Sequence, residues 1–157
     1  MATVKEILKN KDHQIFSVKS GDAVTPALQI MKEHRVRSIL VIDDGQLKGI
    51  ISLGDCAIKV TLAKKDPDVV LAAEIMTQNP LTVEDEFTLE QCMSIMVAKK
   101  VRHLPVLNNQ QVIGVISIGD LVGEMMKSQT NQISFLETYM KDHGLDSRGN
   151  SHFSFLG

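Results

Sequence analysis

At 157 residues and a net charge of −2, the chain has the length of one ordinary domain or of two small units, which favours a fused pair sharing one core. Acids and bases nearly cancel and neither forms a block, which argues against nucleic acid as a partner. Aromatic residues make up only 4% of the chain against 43% apolar, so a globular core has to rest on Val, Ile, Leu and Met.

In chain order, Met1–Asn10 lacks the apolar segment of a secretory signal, and Thr3–Leu8 reads as a lead-in to the first strand. That strand is Ile15–Val18, a short β-prone run. A helical period then runs over Val24–His34, with Pro26 in the first turn where a missing N–H costs little. Two apolar runs, "SILVI" and "LKGIIS", flank the turn-forming "DDGQ" and predict a hairpin. Ser52-Leu53-Gly54-Asp55 opens a helix into "CAIKVTLA". Lys64–Val69, with "KKDPD", is a linker, and "VVLAAEIM" predicts a helix leading into the next element.

From Leu81 the same order returns. "LTV" is the short strand, and Thr88 with Gln91 makes a capping box before a face of Leu89, Cys92, Met93, Met96 and Val97. "LPVL" and "VIGVIS" flank "NNQQ", and Ser117-Ile118-Gly119-Asp120 opens the next helix. Ile133, Leu136 and Met140 predict a further amphipathic helix ending near "DHG", followed by an aperiodic tail containing Phe153 and Phe155. No apolar stretch approaches the roughly 20 residues that span a bilayer, so the expected setting is the cytoplasm, without membrane association.

A shift of about 65 residues aligns Phe16–Ala57 with Leu81–Val122 without a gap. The matches include Val18/Val83, Met31/Met96, Arg37/Arg102, Gly49/Gly114, Ser52/Ser117, Gly54/Gly119 and Asp55/Asp120. Each copy reads β-α-β-β-α. The predicted division is 1–63 for the first repeat with its lead-in, 64–127 for linker plus second repeat, and 128–157 for a helix and tail.

Cys56 and Cys92 lack CxxC spacing, which points to buried reduced thiols. His13, His34, His103, His143 and His152 show no metal-ligand spacing. Neither a nucleophile with a base nor a ligand cluster is present in recognisable context, so no catalytic or metal-binding residue is assigned and the chain reads as a non-enzyme.

With this element order and "G-h-h-S-x-x-D" closing both copies, h being apolar, the chain resembles a tandem pair of cystathionine-β-synthase (CBS) domains, a Bateman module. Its stand-alone size resembles the small CBS-pair signal-transduction proteins. The resemblance implies an α+β fold of two pseudo-two-fold repeats, sheets packed together and helices outside. It implies clefts between the repeats for an adenosine-containing ligand such as AMP, ADP, ATP, S-adenosylmethionine or NAD(H), with no catalytic cofactor. It also implies a homodimer, and, with no output domain in the chain, a regulated protein partner in trans.

Candidate binding residues follow the motif. Asp55 and Asp120 can each accept two ribose hydroxyls, with Ser52 and Ser117 adding hydroxyls and Gly54 and Gly119 leaving room for close approach. The same Ser-x-x-Asp pattern is also a helix cap that needs no ligand, and both readings stand. Arg37 and Arg102 precede matched strands and suit phosphate; His103 adds a donor in the second copy, where Pro105 removes one. By the family's arrangement Ser17–Lys19 faces Asp120, and Thr82–Glu84 faces Asp55. Lys19 attracts phosphate and Glu84 repels it, which favours the Asp120 cleft for the tighter phosphorylated ligand. The alternative function is a dimerisation module with empty clefts.

Overall fold

The computed structural model describes residues 2–11 and 14–142. His13, His143, His152 and the tail with Phe153 and Phe155 lie outside the described residues. The chain divides into two compact units, residues 1–121 and 122–157.

The first unit holds both repeats. Helix α1 (Val4–Lys9) is followed by β1 (Ser17–Val18), α2 (Val24–His34), and the hairpin β2 (Ser38–Asp43) and β3 (Gln46–Ser52). The short helix α3 (Leu53–Cys56) continues as a π-helical turn over Ala57–Thr61. The lead-in to the second copy is α4 (Ala72–Ile75) and β4 (Thr77–Gln78). Then come β5 (Val83–Glu84), α5 (Leu89–Lys99), β6 (His103–Asn108), β7 (Gln111–Ser117) and α6 (Ile118–Asp142). The fold is α+β, with a four-stranded sheet in the order β1-β2-β3-β4 and a three-stranded sheet in the order β5-β6-β7.

In each sheet the short first strand pairs parallel to the first hairpin strand, and the hairpin itself is antiparallel. Both hairpins close through two residues of positive φ: Asp44 and Gly45 at 49° and 77°, Asn109 and Gln110 at 49° and 65°. Two such residues form the primed turn whose twist matches that of the strands it joins.

The hydrophobic interior is two clusters, not one shared core. One gathers Val24, Ala27, Met31, Ile39, Val41 and Ile51 of the first copy together with Val70, Ala72 and Ile75 of the second lead-in. The other gathers Leu89, Cys92, Met96, Leu104, Val106 and Ile116 of the second copy together with Val4, Ile7 and Leu8 from the start of the chain. Each lead-in therefore packs on the other copy. Backbone bonds secure the exchange: Val4 N–H donates to Phe87 O at 2.8 Å and Lys5 N–H to Asp85 O at 2.9 Å, while Ala72 N–H donates to Asp22 O at 2.7 Å. Fully burying one such aliphatic side chain is worth about 1.5–3 kcal/mol, so a borrowed helix enlarges a core too small by itself.

Several local expectations are modified. The helix predicted over "VVLAAEIM" shrinks to Ala72–Ile75, because Leu71 is its N-cap in extended conformation and Met76 leaves the helix to enter β4. Val97 is exposed, since the buried face of α5 is Leu89, Cys92 and Met96. No break separates the second repeat's closing helix from the amphipathic stretch after Lys127: with no proline and no glycine beyond Gly123, α6 runs unbroken to Asp142. In the second unit this helix leaves Ile133 and Leu136 exposed.

The repeated glycine that opens "GIIS" and "GVIS" has a packing reason. A Cβ on Gly49 would lie 2.8 Å from Thr77 O and 2.6 Å from Met76 Sδ; one on Gly114 would lie 2.9 Å from Leu8 Cδ2. Each glycine sits where the exchanged lead-in crosses the closing strand.

Candidate functional site

Each closing motif forms a complete capping box. Ser52 N–H donates to Asp55 Oδ2 at 2.9 Å and Asp55 N–H to Ser52 Oγ at 3.1 Å; the matching distances for Ser117 and Asp120 are 2.8 and 3.1 Å. The first helical N–H is also taken, Leu53 donating to Arg37 O at 3.1 Å and Ile118 to Arg102 O at 2.9 Å. Two backbone donors of the first turn are thus already satisfied at each motif. The same bonds tie each arginine's backbone to the motif of its own copy, so the position before the hairpin and the motif behind it form one corner.

A cavity of about 620 Å³ opens at the second corner. Ser117, Gly119 and Asp120 line it together with Arg37, Arg102 and His103, so the matched arginines of both copies converge on one space. Lys11 and Arg35 add two more cations, and Asp120 is the one carboxylate among the lining residues. Apolar walls come from Leu8, Phe16, Val36, Ile113, Val115 and Ile118. Phe16 and His34 stack at this wall with ring centroids 4.2 Å apart and planes 24° apart, offering a flat face to a base.

Asp120 is held from two sides. Lys11 Nζ lies 2.8 Å from its Oδ2 and donates as well to Val115 O at 3.0 Å. Burial alone would raise the carboxyl, but the bond from Lys11 and that from Ser117 N–H outweigh it and leave the group below the usual carboxylate range. His103 is pushed down, first by burial and then by the Lys11, Arg102 and Arg37 charges, with Asp120 opposing. At neutral pH it is an uncharged donor and acceptor.

The remaining candidates lie elsewhere. Ser17 and Lys19 are exposed and do not line this cavity; Gln14 and Phe16, just before them, do. Its cationic character therefore comes from Lys11, Arg35, Arg37 and Arg102, not Lys19. Pro105 is buried on β6 opposite Val115. Ser52, Gly54, Asp55 and the exposed Thr82 are also outside it, and Asp55 pairs with Lys59 one helical turn on, at 3.1 Å. Cys56 and Cys92 are free and buried, with thiols raised by burial and, at Cys56, also by the Asp55 charge.

Lys11, Arg35 and the Phe16–His34 stack escaped the sequence reading. Arg35 left a trace, since it and its counterpart Lys100 both end a helix with φ of 54°, a place where glycine is usual. Lys11 left none, because it precedes the aligned repeat.

The CBS domain family model matches the chain twice, over residues 4–60 and 72–127. The chain belongs to the CBS domain family. CBS domains pair as regulatory modules, generally without catalysis, and this chain carries one such CBS pair. The CBS domain-containing protein YhcV of Bacillus subtilis is 26% identical over 134 residues, 83% of this chain and 90% of the relative. A solved CBS-domain structure from Burkholderia ambifaria MC40-6 is 37% identical with a TM-score of 0.79, covering 82% of this chain and 96% of that one. The CBS domain pair of protein MJ0100, solved in complex with 5′-methylthioadenosine and S-adenosyl-L-methionine, shares the fold at 22% identity and a TM-score of 0.70, covering 82% and 98%. Among the described residues, no helix is long and apolar enough to cross a membrane.

Proposed function

We propose that this CBS pair is a non-catalytic sensor that binds an adenine nucleotide in the Asp120 cleft. One observation carries the reading: Arg37 and Arg102, one from each copy, meet Lys11, Arg35 and His103 around a single capped carboxylate. The guanidinium groups suit a phosphate, the carboxylate suits ribose hydroxyls, and the Phe16–His34 face with Val36 and Ile113 suits a purine. MJ0100, a protein of the same fold, was solved with two adenosine-containing ligands, which supports the ligand class. A ligand touching both copies favours the arrangement in which they converge, and a dimer or a partner in trans reads that shift. AMP, ADP, ATP and NAD(H) all present the groups this cleft complements.

A second reading has its own observation: both capping boxes are complete without a ligand, as an assembly module with empty clefts requires. Calorimetric titration of nucleotide-stripped protein with AMP, ATP, NAD and NADH separates the two. The sensor reading expects binding that Asp120→Ala weakens at least about tenfold and Asp55→Ala leaves nearly intact. No binding of any of the four gives the assembly reading the lead.

A further inference from the structure

The ion pair between Lys11 and Asp120 spans 109 positions of sequence and is not needed for the cap, which Ser117 completes. Lys11 follows α1, whose Ile7 and Leu8 are anchored in the core of the second copy, so the ammonium is presented from a packed element. It lies 2.8 Å from Asp120 Oδ2, and Ser117 N–H donates to the same atom at 2.8 Å. A carboxylate oxygen offers about two lone-pair sites, so Oδ2 is fully engaged. A ribose diol that takes both carboxylate oxygens has to displace the ammonium from Oδ2, and Lys11 then keeps Val115 O and solvent but loses its anionic partner.

We infer that Lys11 is a specificity-determining residue: it occupies Asp120 until a ligand phosphate takes over its ammonium, so the cleft selects phosphorylated over unphosphorylated adenosine ligands. This rests on the nucleotide reading above. A nucleoside breaks the pair and returns no anion to Lys11, whereas a nucleotide exchanges one anionic partner for another. Discrimination thus comes partly from a penalty on the wrong ligand, beyond the attraction Arg37 and Arg102 supply. Asp55 has no such arrangement, because its cation, Lys59, comes from the next turn of its own helix.

The test is titration of the full chain with AMP and with adenosine at one salt concentration, for wild type, Lys11→Met and Lys11→Arg. The expected result is a wild-type preference for AMP that Lys11→Met narrows by about tenfold or more, with adenosine binding tighter than in wild type. Lys11→Arg, which keeps the charge, restores the preference. In ligand-free protein, the Asp120 carboxyl titration followed by carbon NMR moves upward in Lys11→Met. Wild type binding AMP with an unchanged AMP-to-adenosine ratio in Lys11→Met overturns the role of Lys11 and leaves the nucleotide reading standing. Wild type binding neither compound removes the nucleotide reading and the inference with it.

Discussion

Two titrating residues of the cleft are held on the low side of their ordinary range, His103 mainly by burial and Asp120 by its Lys11 and Ser117 partners against burial. For both, the unfolded chain binds protons more readily than the folded one, so stability rises with pH across the interval between the two pKa values. The contribution of neutral His103 is complete above about pH 6.5 and is lost as pH falls through its lowered value; that of Asp120 is complete above about pH 3.9 and is lost further into acid. Melting temperature is therefore expected to fall between about pH 7 and 5, and His103→Gln to flatten that fall, since its side chain does not titrate. Identical slopes for the two proteins would remove His103 from the account. At this scale the matched arginines and aspartates were legible because duplication put them in register; Lys11 was not, because its partner is set by the fold alone.

At the scale of elements, identical roles in the repeat hide unequal surroundings. Gly49 faces the backbone carbonyl of Thr77 in the paired strand β4, whereas Gly114 faces the Leu8 side chain, whose methyl groups have rotamer freedom that a paired backbone carbonyl lacks. Gly49→Ala is expected to cost about 1–3 kcal/mol, the range for forcing an extra methyl into packed structure, and Gly114→Ala distinctly less. Chemical denaturation of the two variants measures the difference, and equal losses would contradict the packing argument. Helices α2 and α5 and both hairpins were readable because period, turn residues and, at Thr88, a capping box agree locally. The short α4 and the unbroken α6 were not, since the first is cut off by strand pairing and the second lacks any local stop.

For the two repeats together, the exchange of lead-ins makes each copy's stability depend on a segment that chain order assigns to the other. Ile7, 4% exposed, lies before the first copy but is packed in the core of the second. Ile7→Ala is expected to cost about 2–5 kcal/mol. Hydrogen exchange should then quicken at Leu104 and Val106 before it does at Ile39 and Val41. Faster exchange in the first copy instead would mean the lead-in belongs with the repeat it precedes.

Composition, the period of the apolar residues and the in-register duplication determined, without any coordinates, that the chain is two β-α-β-β-α repeats, and the repeated closing motif carried the resemblance to a CBS pair. These signals are local or repeated, and each can be read within a window of residues. Only tertiary structure decided that the repeats trade helices, that there are two cores, and that Arg37 joins Arg102 at one cleft with Lys11 reaching Asp120. Those are contacts between elements far apart in the chain, chosen by which apolar faces can be buried together. No periodicity within one stretch encodes that choice.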